Sequence, residues 1–386
     1  MRRFLRALLV GTFASACADD RAPAIQRAGA VAEVGLGQRS EAPPGATANA
    51  GVRIATIDSL PSEAADNPRV ALPRVPFAGA LSLVWERLSF EEDTVLLYPS
   101  DVQFSSRGLL VFDAGSRQLR VLSSSTGKLV STFGREGKGP GELSPSFWFQ
   151  GSYGRPVSFD ANQRRLTQLT GERDSLVTLP FPRNRRWSST CALDDSLTLG
   201  YASSASAESD LLLVAGERVV DSISNPFEDL RAEHFMARQA ILRQLDDSSC
   251  AVLTAYQRRF AVISRDRTVR LGVYPESSAV MQVNVVTADD GKSILSSLPR
   301  GARVGPADAR AWREYVLVLF AGRTTLAGRT IDVFAREDLT YQGSLVLPSK
   351  ARRMSVHGDS LVVIGERNDY PTVSLFILRP RNSLGR

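Results

Sequence analysis

The side chains best suited to chemistry are sparse in this sequence. It has two histidines, His234 and His357, and three cysteines, Cys17, Cys191 and Cys250. Zinc centres draw on His and Cys together at short spacing, and neither C-x-x-C nor H-E-x-x-H occurs. No metal ligand is therefore assigned. Paired acids stand at Asp194-Asp195, Asp246-Asp247 and Asp289-Asp290. Calcium needs several oxygens at once, whereas neighbours on a strand point to opposite faces. The pairs read as hairpin turns, where Asp is common, and calcium stays open as the one cofactor. A serine nucleophile on a G-x-S-x-G elbow is missing too, since "GDSLV" at 358–362 and "GKSIL" at 291–295 lack the final glycine. No catalytic residue is assigned.

Two stretches invite an anion. "STFGREGKGPGEL", Ser131 to Leu143, has the look of a phosphate loop. A P-loop requires G-x-x-x-x-G-K-[ST]; here Thr132 stands at the first glycine and Gly139 follows Lys138. No helical period follows, so the dinucleotide fingerprint fails as well. The stretch reads as a turn. "PRNRRWSS" at 182–189 places Arg183, Arg185, Arg186 and Trp187 together. Arginine forks onto carboxylate or phosphate and tryptophan stacks on sugars, so these four are the candidate ligand-binding residues. The alternative is a solvated loop in an arginine-rich chain.

The N-terminus positions the whole chain. "MRRFLRALLVGTFASAC" has a basic start, an apolar run and then small residues, the order of an export signal over residues 1–16. Cys17 directly after Ala14-Ser15-Ala16 fits bacterial lipoprotein processing, with acylation at Cys17; Ala14 departs from the usual Leu, and plain secretion is the alternative. Ala18 rather than Asp leans towards the outer membrane. The net charge of +6 drops to +3 without Arg2, Arg3 and Arg6, so no nucleic acid partner is expected. In an exported chain Cys191 and Cys250 can form a disulfide or remain separate buried thiols.

Residues 17–76 form the expected linker. No aromatic residue occurs between Cys17 and Pro76, and such a segment buries too little apolar surface to order itself. Residues 18 to about 50 would reach roughly 30 Å as a flexible chain, and residues 51 to 76 could drape on the domain. From Phe77 to Arg386 short apolar runs alternate with polar turns. "EDLRAEHFMARQAILRQL" at 228–245 is the one stretch that could be a helix or a long excursion. Six units recur, at 107–133, 155–181, 195–224, 249–274, 313–348 and 358–380, with Asp113 and Asp160 at matching places 47 residues apart. About fifty residues per unit is the size of a four-stranded propeller blade.

In the first unit, "LLVFDAGSRQLRVLSSSTGKLVSTFGREGKGPGEL", a strand ends in Val-x-Asp and the third strand leads into Phe-Gly-x-x-Gly-x-Gly-x-Gly-Glu. This resembles a blade of the NHL-type propellers, and the whole is similar to the exported six-bladed propellers of bacteria. The resemblance implies an all-β, six-bladed β-propeller behind a disordered N-terminal tether. Gly134, Gly137, Gly139 and Gly141 would permit the crossing between blades. Arg135, Glu136, Lys138 and Glu142 would be solvated, or one of them would face the central channel. A strand from residues 80–98 would close the ring beside Ser374–Leu378. Gluconolactonase-like relatives hold calcium in the channel and amidating lyases hold zinc. The expected function is a monomeric, membrane-tethered, non-catalytic propeller that binds a protein, peptide or glycan. The alternative is a lyase or lactonase-type hydrolase with a channel metal.

Overall fold

The computed structural model describes residues 74–380 apart from 89–95, 145–146, 152, 154–155, 171–174, 203–209, 225, 228–239, 255–258, 276–281, 288–292, 298–305 and 321–325. Backbone alone is described for 52–56, 175, 210, 282–287 and 293–297. The signal segment, Cys17, His234 and Asp289-Asp290 lie outside the described residues, as do 228–239 of the stretch read as a helix or excursion.

Six four-stranded antiparallel sheets follow one another along the chain. The first comprises Pro99–Ser105, Gly108–Asp113, Gln118–Leu122 and Leu129–Phe133. The second comprises Phe147–Phe149, Val157–Asp160, Arg165–Thr170 and Ser175–Leu179. Blades three, four and five begin with Trp187–Ala192, Ala240–Asp246 and Asp308–Trp312. Ala240–Asp246 is therefore a strand. Blade six begins with Lys350–His357 and continues through Ser360–Arg367 and Tyr370–Pro380. Its fourth strand is Gly79–Leu88, from the other end of the chain, with Glu86 opposite Ser374 and Leu81 opposite Leu378. The protein is an all-β, six-bladed propeller, and among the described residues no helix occurs.

The burial of each strand follows from its place in the blade. Second strands are sandwiched between neighbouring blades, so they are buried on both faces rather than alternating. Leu109, Leu110, Val111 and Phe112 are all fully buried. Fourth strands lie at the rim, and Leu129, Val130, Val219 and Val220 are exposed there. The core consequently has six parts, one at each junction between adjacent blades. Phe112 and Leu119 meet Phe147 and Phe149 between blades one and two. Val362 and Ile364 meet Val102 and Leu109 between blades six and one. Six junctions for six blades close the ring, which leaves no sheet edge between first and last blade to pair with another chain.

Local polar contacts fix the turns. Asp113 ends the second strand of blade one and accepts the N–H groups of Leu97, Tyr98 and Gly115. Asp160, its counterpart in blade two, accepts the Ser144 hydroxyl and the Gln163 N–H. At the closing blade, Trp85 Nε1 donates to Ser124 O of blade one at 3.0 Å. The segment leading into the ring is attached as well. Arg74 makes a two-pronged bond to Asp332, at 2.9 and 3.0 Å, and Phe77 N donates to Ser344 O. Val52–Thr56 pairs antiparallel with Gln282–Thr287, which in turn pairs with Ser293–Ser297.

Candidate functional site

The glycine-rich stretch is the connection from the outermost strand of blade one to the inner strand of blade two. Gly137 sits at φ 155°, and a Cβ there would stand 2.0 Å from the Glu142 carboxylate. Gly141 sits at φ 74°. These are backbone conformations that only glycine adopts cheaply. Arg135–Glu136 pairs in parallel with Glu142–Leu143, forming a small loop. The Glu142 carboxylate folds under it, accepting Gly139 N at 2.7 Å and Arg135 Nε at 3.0 Å. The Gly139 N–H, then Arg135, hold this carboxyl below its usual value. Blade two grips the loop carbonyls: Arg165 Nη1 donates to Gly139 O at 2.7 Å, Arg165 Nη2 to Glu142 O, and Gln163 Nε2 to Gly137 O at 2.8 Å. With Gly139 N bonded to Glu142 and Gly137 N to Leu143 O, those N–H groups are turned inward, and the stretch is a turn rather than a phosphate cradle.

The loop instead forms one wall of a cleft of about 860 Å³ between blades one and two. Arg117, Lys138, Arg165 and Arg183 line it, with Glu136 as its acid. Glu136 is paired with Arg117. Arg165 is 6% exposed, and burial first, with the nearby Arg183 charge, pulls its guanidinium below the usual range against the pull of Asp160 and Glu142. Lys138 and Arg183 are exposed on the rim. A surplus of cations at a recess suits a carboxylate-bearing or other anionic group.

Of the four residues singled out in the 182–189 cluster, only Arg183 lines this cleft. Arg185 and Arg186 are exposed outside it. Trp187 turns into the core: it is 4% exposed, its Nε1 donates to Pro182 O at 2.7 Å, and its ring lies 5.1 Å from that of Phe181. It is not placed to stack on a ligand. Arg117, Lys138 and Arg165 were not assigned from sequence, since their convergence depends on how two blades abut. The chain gives one hint, the lysine within the glycine run.

The second polar region is the central channel, ringed by the first strand of each blade. Side chains stitch one strand to the next. Asp101 accepts Phe149 N at 2.7 Å, Ser189 accepts Leu242 N at 2.9 Å, Asp308 accepts Met354 N at 2.9 Å, and Ser355 accepts Phe104 N at 3.1 Å. The Thr190 hydroxyl bonds to Gln150 Oε1. Buried carboxylates here are thus structural acceptors. Burial raises Asp101 above its usual value, against the charges of Arg353 and Arg243. At the ends of the inner strands the His357 ring stacks on Tyr153, with centroids 3.7 Å apart and planes at 6°.

The remaining candidates are turn or core residues. Asp194 accepts Ser196 N, Ser196 Oγ and Leu197 N, and Asp246 accepts Ser248 N and Ser249 Oγ. Among the described residues, no three His, Cys, Asp or Glu side chains converge on a point that could hold a metal. Cys191 and Cys250 are joined as a disulfide, with Cα atoms 6.1 Å apart, and both are fully buried. The bond staples the inner strand of blade three to the second strand of blade four.

No protein-family model matches the chain, and no curated protein does. Solved structures match at the level of fold. A putative exported protein from Bacteroides fragilis superposes with a TM-score of 0.47 at 12% identity, covering 78% of this chain and 95% of that one. A streptogramin B lyase does so with a TM-score of 0.44 at 11% identity, covering 77% and 97%. The WD40 propeller domain of Doa1 gives 0.43 at 12% identity, covering 80% and 95%. Propellers host unrelated functions.

Proposed function

We propose that this protein is a membrane-tethered, non-catalytic propeller that binds an acidic peptide segment in the cleft between blades one and two. The observation that carries the reading is the surplus of cations there, with Lys138 and Arg183 exposed on the rim of a cleft of about 860 Å³. Rim cations steer and orient an acidic partner without being consumed by internal pairing. The burial of Trp187 removes the aromatic platform that a sugar would use, which favours a peptide over a glycan. The tether is the lipid on Cys17 in the outer membrane, followed by the linker. The catalytic alternative, a lyase or lactonase-type hydrolase, would need acids to spare in the channel. Asp101 and Asp308 are both engaged by backbone N–H groups.

The test uses the full chain with fluorescein-labelled hexaglutamate and, separately, a labelled oligogalacturonate. Saturable binding of the peptide at low salt is expected, with the peptide recovered at unchanged mass. Binding of the oligogalacturonate alone would replace the peptide with a glycan. Absence of any binding, or a cleaved ligand, would remove the proposal. Palmitate labelling that persists in Cys17→Ser would sink the lipid anchor independently.

A further inference from the structure

Arg117 and Glu136 both line the cleft between blades one and two. They form a salt bridge with each other, and among the described residues neither has another partner. The two ends of the pair differ in exposure: the Arg117 side chain is 17% exposed and that of Glu136 64%. Arg117 lies in the turn after Gly108–Asp113, where it holds φ 54°. Glu136 lies on the two-residue strand Arg135–Glu136, with Gly134 at φ 73° before it and Gly137 after it. Blade two shows the same contact in a purely structural form. Arg164 stands at the matching turn, at φ 50°, and its Nη1 donates to the main-chain carbonyl of Arg183 in the connection that leaves the blade. A carbonyl cannot leave without moving the loop. The Glu136 carboxylate can leave by rotation of its side chain alone.

Removing one partner of a mostly covered pair leaves the other charge uncompensated, which is costly. Whatever displaces Glu136 must therefore bring a carboxylate of its own to Arg117. We propose that Glu136 is a built-in competitor for the cleft: its carboxylate holds Arg117 in the free protein, and an acidic peptide binds by putting one of its own carboxylates there. The exchange makes and breaks no covalent bond. It lowers affinity by the share of molecules in which Arg117 is occupied from within, and it turns away neutral segments, which cannot replace the lost pair. The inference rests on the peptide-binding reading of the cleft and adds how that site is guarded.

Labelled hexaglutamate is titrated at constant ionic strength into the unaltered full chain, E136Q, R117Q and the double variant. Glu136→Gln should tighten binding roughly two- to fivefold, the worth of one part-exposed ion pair. The same change in the Arg117→Gln background should bring no such gain, because no arginine is left to release. Equal or weaker binding by E136Q overturns the competitor and leaves the cleft standing as the binding site. So does a gain of the same size in both backgrounds, which would report only the added net charge. Absence of binding by all four proteins removes the peptide reading and the competitor with it. If R117Q does not fold, a crystal structure of the unaltered chain with hexaglutamate decides. A ligand carboxylate on Arg117 with Glu136 turned away is expected, and an intact Arg117–Glu136 pair beside bound ligand contradicts it.

Discussion

The channel and the cleft are both basic, but their cations answer to different things. In the channel, Arg243 and Arg353 are buried, and each donates to a backbone carbonyl of the ring. In the cleft, Lys138 and Arg183 are exposed on a rim. Charge in a low-dielectric ring must be matched locally, because desolvation exceeds the gain from a loose pair. Charge on a wet rim costs little to keep and is available to a partner. The difference makes the channel part of the fold and the cleft the place to look for function.

That contrast can be broken most severely at Asp308. Asp308→Ala strips the carboxylate from Arg243 and Arg310 and frees Met354 N, and should destabilise by about 3–5 kcal/mol in urea unfolding. A loss below about 1 kcal/mol would mean that water already compensates the ring. The disulfide on the same inner layer ranks next. Cys191→Ala with Cys250→Ala should cost about 2–4 kcal/mol, the usual range for a closed loop of this kind, and reduction of the unaltered chain should lower its midpoint likewise.

At the cleft, Gly137→Ala forces a Cβ against Glu142 at positive φ. It should cost about 1–3 kcal/mol and alter ligand binding more than a rim substitution alters stability. Lys138→Glu with Arg183→Glu should move stability by no more than about 0.5 kcal/mol, as surface changes do; a larger loss would mark these cations as part of the fold after all. The smallest effect lies far from both regions. Hydrogen bonds from Arg313, then Trp312, hold Asp359 below its usual 3.8. Its contribution is present above that value and lost as pH falls through the lowered one. Asp359→Asn should lower stability slightly at neutral pH, leave it nearly unchanged at acid pH, and so flatten the acid limb of the profile. The pair is well exposed, so solvent screening keeps the change slight.

The ring was legible because its parts are local and repeat. Val-x-Asp at Asp113 and its echo at Asp160 mark strand ends, and short apolar runs such as Leu109–Phe112, set off by polar turns, mark the strands. Closure through Gly79–Leu88 was readable for the same reason: a β-rich stretch stood before the first full blade. The site was readable only in part. Arg183 was found because it sits in a visible cluster, yet Trp187 beside it points inward, since strand alternation decides its face and the blade decides which face is core. Lys138, Arg117 and Arg165 come from two blades and share no spacing. The channel stitches were hidden for the same reason, for Asp101 and Phe149 are neighbours only across a junction. Contacts made between repeats leave no period in the chain.

Anisotropy of labelled hexaglutamate with the unaltered chain and with Lys138→Glu/Arg183→Glu, at low and at raised salt, tests the central claim most directly. Binding that weakens at least tenfold in the double variant, and falls with salt in the unaltered chain, is the result the cleft requires. Equal affinity in both proteins would contradict it and move the ligand site away from blades one and two.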